Sequence, residues 1–172
     1  MSSDTGSRFS LVLLALSAAG LLGIVNFEGY STTAVAPVPG DKPTYGFGST
    51  ARADGSPVKA GETITPPKAI ELAVRQAQVK ESAIKRCVKV PLAQYEYDAY
   101  VSLAYNIGES KFCSSTLVAK ANALDYAGAC AEILRWSYFQ GKDCTAKENQ
   151  KLCGGIGKRR LLEAARCRGE LK

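Results

Sequence analysis

Two acidic side chains in the first quarter of the sequence could carry out chemistry on a sugar polymer. Glu28 is the first acid after a long uncharged run, and Asp41 is the only acid between Glu28 and Thr44. Glycoside hydrolysis needs one carboxylic acid to protonate the departing oxygen, and usually a second carboxylate that activates water or attacks the sugar. Glu28 and Asp41 are therefore candidates for this pair.

Each candidate also has an alternative reading that involves no chemistry. Glu28 could simply be the charge that ends a membrane-spanning segment. Asp41 follows Pro39 and Gly40, and aspartate is common in turns because it suits the backbone there. The residue types alone leave both readings open.

The absence of histidine excludes several competing chemistries. Nucleophiles of the Ser-His and Cys-His types need an imidazole base, and His-ligated zinc hydrolases need imidazole ligands. None of the six cysteines forms a C-x-x-C pair, so the usual zinc and redox spacings are missing too. We expect an enzyme with no metal and no cofactor.

An even number of cysteines in a small exported chain indicates disulfides and an oxidising compartment such as the bacterial periplasm. The chain has 172 residues, which fits one compact domain with a short appendage. Its net charge is +6, and residues 1–27 contribute nothing because Asp4 and Arg8 cancel. A basic body favours a polyanionic partner, with a merely basic solvated surface as the alternative.

Residues 9–27 form an uncharged run of nineteen residues, long enough as a helix to cross about 30 Å of hydrocarbon. Small and polar residues weaken its hold on lipid: Ser10, Ala15, Ser17, Ala18, Ala19, Gly20, Gly23 and Asn26. With Arg8 and the amino terminus ahead of it, the run is predicted to leave its N-terminus in the cytoplasm and the body outside. A weak membrane anchor is the interpretation that we prefer.

Two other interpretations of this run remain. A permanent anchor is one of them. A cleavable signal peptide is the other, and Ala34-Val35-Ala36 fits its small-x-small cleavage pattern, although cleavage there would discard Glu28.

The body reads as a small β-hairpin lobe followed by helices, which is an α+β fold. Residues 30–64 are rich in Thr, Val, Gly and Pro, with turn signals at Pro39-Gly40-Asp41 and Asp54-Gly55. Thr65 and Pro66 fit the cap and the first position of a helix. That helix is predicted to cover about residues 67–87 and to bury Ile70, Ala73, Ala77 and Ile84.

Four further helices are predicted. They cover about residues 91–107, from Ser114 or Ser115 to Asn122, from Asp125 to Tyr138, and 158–168, with Gly108 as the cap that ends the first of them. Residues 141–157 are polar and contain glycine, so they are predicted to form a loop. Trp136 and Tyr105 are predicted to belong to the core rather than to a cleft.

Several motifs, taken in order, resemble the phage-type lysozymes of glycoside hydrolase family 24. The hairpin motif is Phe27-Glu28-Gly29-Tyr30 followed by Pro39-Gly40-Asp41-Lys42-Pro43-Thr44-Tyr45-Gly46-Phe47-Gly48-Ser49-Thr50. Later matches are Ala104-Tyr105-Asn106-Ile107-Gly108, Phe112-Cys113-Ser114-Ser115-Thr116-Leu117, Asp125-Tyr126-Ala127-Gly128-Ala129-Cys130, Leu134-Arg135-Trp136 and Arg159-Arg160. The resemblance covers roughly residues 27–168.

The resemblance implies a lysozyme-like fold and a role for each candidate residue. Glu28 corresponds to the general acid, and Thr44 to the threonine that helps to hold the attacking water. The family's aspartate usually lies nearer to the glutamate, at a place that falls near Pro37, so Asp41 is our candidate for the second carboxylate as the only acid in the segment. Ser49 stands where the family often has histidine. Gly46 and Gly48 are predicted to let a sugar chain approach the hairpin on one face while Tyr45 and Phe47 pack on the other.

The resemblance also implies three disulfides, Cys87–Cys113, Cys130–Cys167 and Cys144–Cys153. The weak anchor next to Glu28 resembles the signal-anchor-release endolysins, which host secretion machinery inserts in the inner membrane and which later enter the periplasm. We therefore expect a signal-anchor segment at residues 1–27 and a monomeric lysozyme domain at 28–172. It would act on peptidoglycan glycan strands and bind no nucleic acid. The alternatives are a lytic transglycosylase and a non-catalytic, membrane-tethered peptidoglycan-binding module.

Overall fold

The computed structural model describes residues 7–36 and 40–171 of the chain. They belong to two units, which we describe separately. Residues 1–20 with 80–172 form the first, which we call the helical unit, and residues 21–79 form the second, which we call the hairpin unit.

The N-terminal apolar run contains two short helical pieces. Leu11–Leu13 form a single 3-10 turn, and helix α1 spans Ala18–Glu28. Residues 14–17 between them have no regular secondary structure. Among the helices of residues 7–36 and 40–171, none is both long enough and apolar enough to cross a membrane.

The predicted β-hairpin is confirmed in the hairpin unit. Strand β1 (Ser31–Val35) pairs antiparallel with β2 (Thr44–Gly46). Ser31 lies opposite Gly46 and Val35 opposite Thr44, so β1 has two more residues than β2 between the same pairs and must bulge. Of the predicted turn at Pro39-Gly40-Asp41, residue 39 lies outside the described residues.

The hairpin packs on the start of helix α2 (Pro66–Cys87). The buried cluster of this unit consists of Ala34, Tyr45, Val58, Ile64, Ala69 and Leu72, with Phe47 packed against it. The helix begins at the predicted Pro66, and Ala73, Ala77 and Ile84 are buried as predicted. The prediction that Ile70 is buried is wrong. Ile70 is 46% exposed, because the buried face of the helix runs through Ala69 and Leu72 instead.

In the helical unit, the described residues contain helices α3 (Gln94–Ile107), α4 (Glu109–Cys113), α5 (Thr116–Asn122), α6 (Tyr126–Glu132) and α7 (Gln150–Cys167). Gly108 ends α3 with φ +89°, as predicted for a cap. The Ser115 side chain accepts a hydrogen bond from the Val118 N–H, and the Asp125 side chain accepts one from the Gly128 N–H. Both predicted N-caps are therefore confirmed.

Three predicted boundaries in this unit were wrong. Helix α3 starts three residues after Pro91, where the Glu96 carboxylate accepts the Ala93 N–H and closes the first turn. The helix that begins after Asp125 ends at Glu132, and a 3-10 turn follows. Beyond it lies a second hairpin, β3 (Tyr138–Phe139) with β4 (Lys142–Asp143).

The third error concerns residues 150–157, which were predicted as loop and form the first half of α7. The helix is kinked at Cys153, whose φ is −148°. All three disulfides implied by the resemblance are present, Cys87–Cys113, Cys130–Cys167 and Cys144–Cys153. The Cys144–Cys153 disulfide links the kink to the residue that directly follows β4. The glycine-rich start of α7 is thereby held covalently against that residue.

Candidate active site

Glu28 is the last residue of α1 and is half-buried. Gly29 follows it with φ +68°, and its N–H donates to the Val25 carbonyl at 3.1 Å. A left-handed glycine directly after the last helical residue is a common helix end. The Glu-Gly pair of the motif thus ends the helix and fixes the position from which the Glu28 side chain projects.

Thr44 begins β2 and is half-buried, opposite Val35 on β1. The segment after it turns back on itself, because Tyr45 and Ser49 exchange two backbone hydrogen bonds of 3.2 and 3.0 Å. The turn is therefore a rigid extension of the strand that carries Thr44.

This turn brings the hairpin to the candidate acid. Gly48 has φ +78°, and a Cβ placed on it would lie 3.3 Å from Oε2 of Glu28. The carboxylate thus lies beside the bare face of Gly48, four residues after Thr44. The structure brings Glu28 and the Thr44 strand together within the hairpin unit.

The prediction for Gly46 needs correction. A Cβ on Gly46 would lie 2.9 Å from the Cβ of Ala69 on α2, so the missing side chain makes room for the helix rather than for a sugar chain. The predicted packing of the rings is confirmed, since Tyr45 is buried in the cluster and Phe47 packs against it. The two glycines therefore have different tasks, close packing for Gly46 and accommodation of Glu28 for Gly48.

Tyr30 is a residue of the site that the sequence analysis missed. Its hydroxyl donates to the Ile64 carbonyl at 2.7 Å, and its ring lies 5.7 Å from that of Phe47. The ring contact joins the chain just after Glu28 to the turn that contains Gly48, and the hydrogen bond joins it to the segment before α2. The position of Tyr30, two residues from the candidate acid, was the available signal.

Ser49 takes the place of the family's frequent histidine in a fully buried position. Its hydroxyl accepts a hydrogen bond of 2.9 Å from the Gln76 amide on α2. A neutral hydroxyl and amide therefore anchor the turn to the helix.

Asp41 lies in the connection between β1 and β2 and is exposed. Residues 37–39 of that connection, including the place where the family's aspartate would fall, lie outside the described residues. The role of Asp41 as second carboxylate stays a prediction.

In the helical unit, two of the matched motifs meet in a polar network that is buried except at Asn106. The Arg160 guanidinium donates to Asn106 Oδ1 at 2.8 Å and pairs with Glu163 at 2.9 Å. Glu163 also accepts from the Ser102 hydroxyl at 2.6 Å and from Arg159 at 3.0 Å. The Tyr-Asn-x-Gly and Arg-Arg motifs thus hold α3 and α7 together.

Trp136 and Tyr105 are both half-buried. Trp136 lines a pocket of about 350 Å³ in the helical unit, together with residues 114–117. The prediction that it belongs to the core is therefore only partly right.

The comparisons with known proteins agree with this architecture. A family model described as phage lysozyme matches residues 25–163. The endolysin of Salmonella phage P22 is 38% identical over 131 residues, which are 76% of this chain and 88% of the relative. The SAR-endolysin of Escherichia phage N15 is 34% identical over 114 residues, 65% of this chain and 64% of the relative.

A solved structure is similar along nearly its whole length. The endolysin from Escherichia coli O157:H7 phage FAHEc1 superposes with a TM-score of 0.78 and 30% identity, covering 96% of this chain and 98% of that one. The chain belongs to the phage lysozyme family, which confirms the predicted lysozyme-like α+β fold and the predicted class, a glycoside hydrolase. Its function is that of an endolysin, a lysozyme that breaks down the host cell wall.

Proposed function

We propose that the enzyme hydrolyses the β-1,4 bond between N-acetylmuramic acid and N-acetylglucosamine in peptidoglycan, with Glu28 as general acid. The observation that carries the proposal is the position of the Glu28 carboxylate beside Gly48, in the turn that continues the strand of Thr44. The proton donor at the end of α1 and the hydroxyl at the start of β2 thus both belong to the hairpin unit.

In the proposed reaction, Glu28 gives its proton to the glycosidic oxygen as the bond to the sugar breaks. A water held by the Thr44 hydroxyl attacks the sugar carbon, and the Asp41 carboxylate takes up the proton that this water loses. Glu28 is then deprotonated and Asp41 protonated, and the transfer of one proton from Asp41 to Glu28 through solvent restores the starting state. One water molecule is consumed for each bond cleaved. The family implies inversion at the sugar carbon.

The direct test is a turbidity assay on permeabilised Gram-negative cells with purified variants. Glu28→Gln should lower the rate at least about 100-fold, because a general acid contributes about that much or more. Glu148→Gln is a suitable control, since Glu148 is an exposed acid of the helical unit. Unchanged lysis by Glu28→Gln would show that another residue supplies the proton.

The same preparation separates the remaining alternatives. Asp41→Asn should also lose most of its activity if Asp41 is the base, whereas normal activity would show that it is only a turn residue. Mass spectrometry of the digested glycan distinguishes hydrolysis, which leaves a reducing sugar, from lytic transglycosylation, which leaves an anhydro sugar.

We also propose that residues 1–27 are a signal-anchor segment and that 28–172 are the monomeric lysozyme domain. Host secretion machinery would insert the weak apolar run of residues 9–27 in the inner membrane, with the lysozyme domain facing the periplasm. The protein would later leave the bilayer. The small and polar residues of the run support this, and so does the similarity to the SAR-endolysin of phage N15.

The anchor proposal makes activity depend on release. While residues 9–27 occupy lipid, Glu28 is held at the membrane surface, where α1 cannot place it beside Gly48. Membrane-bound protein should therefore be inactive, and collapse of the membrane potential should release active protein. Full activity in undisturbed membranes would contradict this, and the mass of the released protein would reveal any cleavage of the segment.

A further inference from the structure

The N-terminal segment of the helical unit, residues 7–20, is held in a form that a membrane helix cannot have. Residues 14–17 are not helical. In an unbroken helix over residues 9–27, the N–H groups of Leu16 and Ser17 would bond to carbonyls four residues earlier. In the structure the Leu16 N–H donates to Glu81 Oε1 at 2.7 Å and the Ser17 N–H donates to Asp98 Oδ1 at 3.0 Å. The two arrangements exclude each other.

Asp98 of α3 contacts this segment through both of its carboxylate oxygens. It is 5% exposed, and its second oxygen accepts the Ser17 hydroxyl, while the Ser17 Oγ accepts the Gly20 N–H at 3.0 Å. A Cβ on Gly20 would lie 2.8 Å from the Asp98 Cγ. Gly20 therefore has no side chain at the point where the Asp98 carboxylate holds Ser17, whose hydroxyl caps the start of α1.

A second carboxylate of α3 takes its positive partner from the same segment. Glu96 is 2% exposed, and the Arg8 guanidinium donates to its two oxygens at 2.7 and 3.1 Å while lying 3.7 Å from the centre of the Tyr126 ring. A buried carboxylate is strongly destabilising when its cation is removed. Withdrawal of residues 7–20 would take Arg8 away from the Glu96 carboxylate and so destabilise it in this way.

The carbonyls freed by the break in the helix are satisfied by side chains of the helical unit. Lys85 Nζ donates to the Leu14 carbonyl at 2.7 Å, and the Gln94 amide donates to the Ala15 carbonyl at 2.9 Å. Leu14 itself is buried, 5% exposed. Two donors and two acceptors of the non-helical residues thus have partners on α2 and α3.

We propose that Glu81, Lys85, Glu96 and Asp98 form a receiving surface for residues 7–20, specific for the broken-helix form, that draws the anchor out of the bilayer and holds it afterwards. This inference rests on the proposed function of residues 9–27 as an anchor. In lipid the backbone N–H and carbonyl groups of the segment would bond to one another within a helix. The receiving surface replaces several of these bonds with bonds to its own side chains, which favours the released state. The residues that control release would then lie on α2 and α3, outside the anchor.

The test measures how much full-length protein stays in the membrane fraction of cells after collapse of the membrane potential. Asp98→Ala should leave at least fivefold more protein in membranes than the wild type. Glu132→Ala is the matched control, because Glu132 is a similarly buried carboxylate of the same unit, 8% exposed, whose partner is Lys120 at 2.7 Å. It should release like the wild type.

A double-mutant cycle with Ser17→Ala separates docking from a folding defect. In the Asp98→Ala background, Ser17→Ala changes the insertion of the segment into lipid and removes the bond from the Gly20 N–H. Both effects also occur in the wild-type background, so any larger effect there measures the Ser17–Asp98 contact. We expect this excess to be at least threefold. Equal effects in both backgrounds, or normal release of Asp98→Ala, would overturn the receiving surface alone. Wild-type protein that is soluble before the potential collapses would overturn the anchor itself, and the release role with it.

Discussion

Replacing Gly48 with alanine should lower the catalytic rate more than the stability. With φ +78°, an alanine at this position costs about 1 kcal/mol, because its Cβ crowds the backbone. Its Cβ would also lie 3.3 Å from Glu28 Oε2, a contact so tight that the carboxylate must give by a few tenths of an ångström. Since a misplacement of about 1 Å can reduce a rate about 100-fold, we expect kcat to fall about three- to tenfold.

Gly55→Ala is the matched control. Gly55 belongs to the same hairpin unit and has φ +83°, but no heavy atom lies within 4 Å of the place of its Cβ. Both variants should lose about 1 kcal/mol in urea unfolding, whereas only Gly48→Ala should lose activity in initial-rate measurements on peptidoglycan. Equal rates for the two variants would refute the link between Gly48 and the position of Glu28.

Three further predictions concern stability. The hydrogen bonds from Arg52 hold the pKa of Glu62 below its usual 4.5. The stability that this pair contributes is therefore present above about pH 4.5 and is lost as the pH falls through the lowered pKa. In urea unfolding measured against pH, Glu62→Gln should lose less stability on acidification than the wild type. Asp125→Ala removes the acceptor of the Gly128 N–H and should cost about 1 kcal/mol in thermal unfolding, while Asp125→Asn should recover most of it. Replacing Cys130 and Cys167 by alanine opens a loop of 37 residues and should lower the free energy of unfolding by about 4 kcal/mol. The same change at Cys144 and Cys153, with a separation of 9, should lower it by about 2.5 kcal/mol. Denaturant midpoints in oxidising buffer test this order.

The fold was most predictable where local signals were strong. Thr65-Pro66 marked the start of α2, Gly108 marked the end of α3, and Ser115 and Asp125 marked two caps. Each of these signals acts through the residue's own backbone preference or its own hydrogen bond, so neighbours in sequence suffice to identify it.

The first half of α7 could not be predicted in the same way. Its glycines favour a loop, yet a Cβ on Gly157 would lie 2.2 Å from the carbonyl oxygen of Cys144. Gly157 therefore allows close packing against a residue that only the folded chain brings near. Tertiary contacts therefore outweighed helix propensity.

At the candidate site, Glu28 and Thr44 could be proposed from motif order, but the contacts that these motif residues make could not be predicted. That Gly48 accommodates the Glu28 carboxylate, and that Tyr30 braces Phe47, depends on the register of β1 and β2. The two extra residues of β1 shift that register in a way that alternation does not reveal. Asp41 follows this irregular strand, so alternation could not predict its position either.

The bond between Gln76 and Ser49 has a practical consequence for the study of catalysis. Neither side chain titrates, and the chain contains no imidazole that would gain charge between about pH 5 and 8. The contact that anchors the turn beside Glu28 therefore stays neutral throughout that interval. A change of rate with acidity there would have to arise elsewhere in the enzyme.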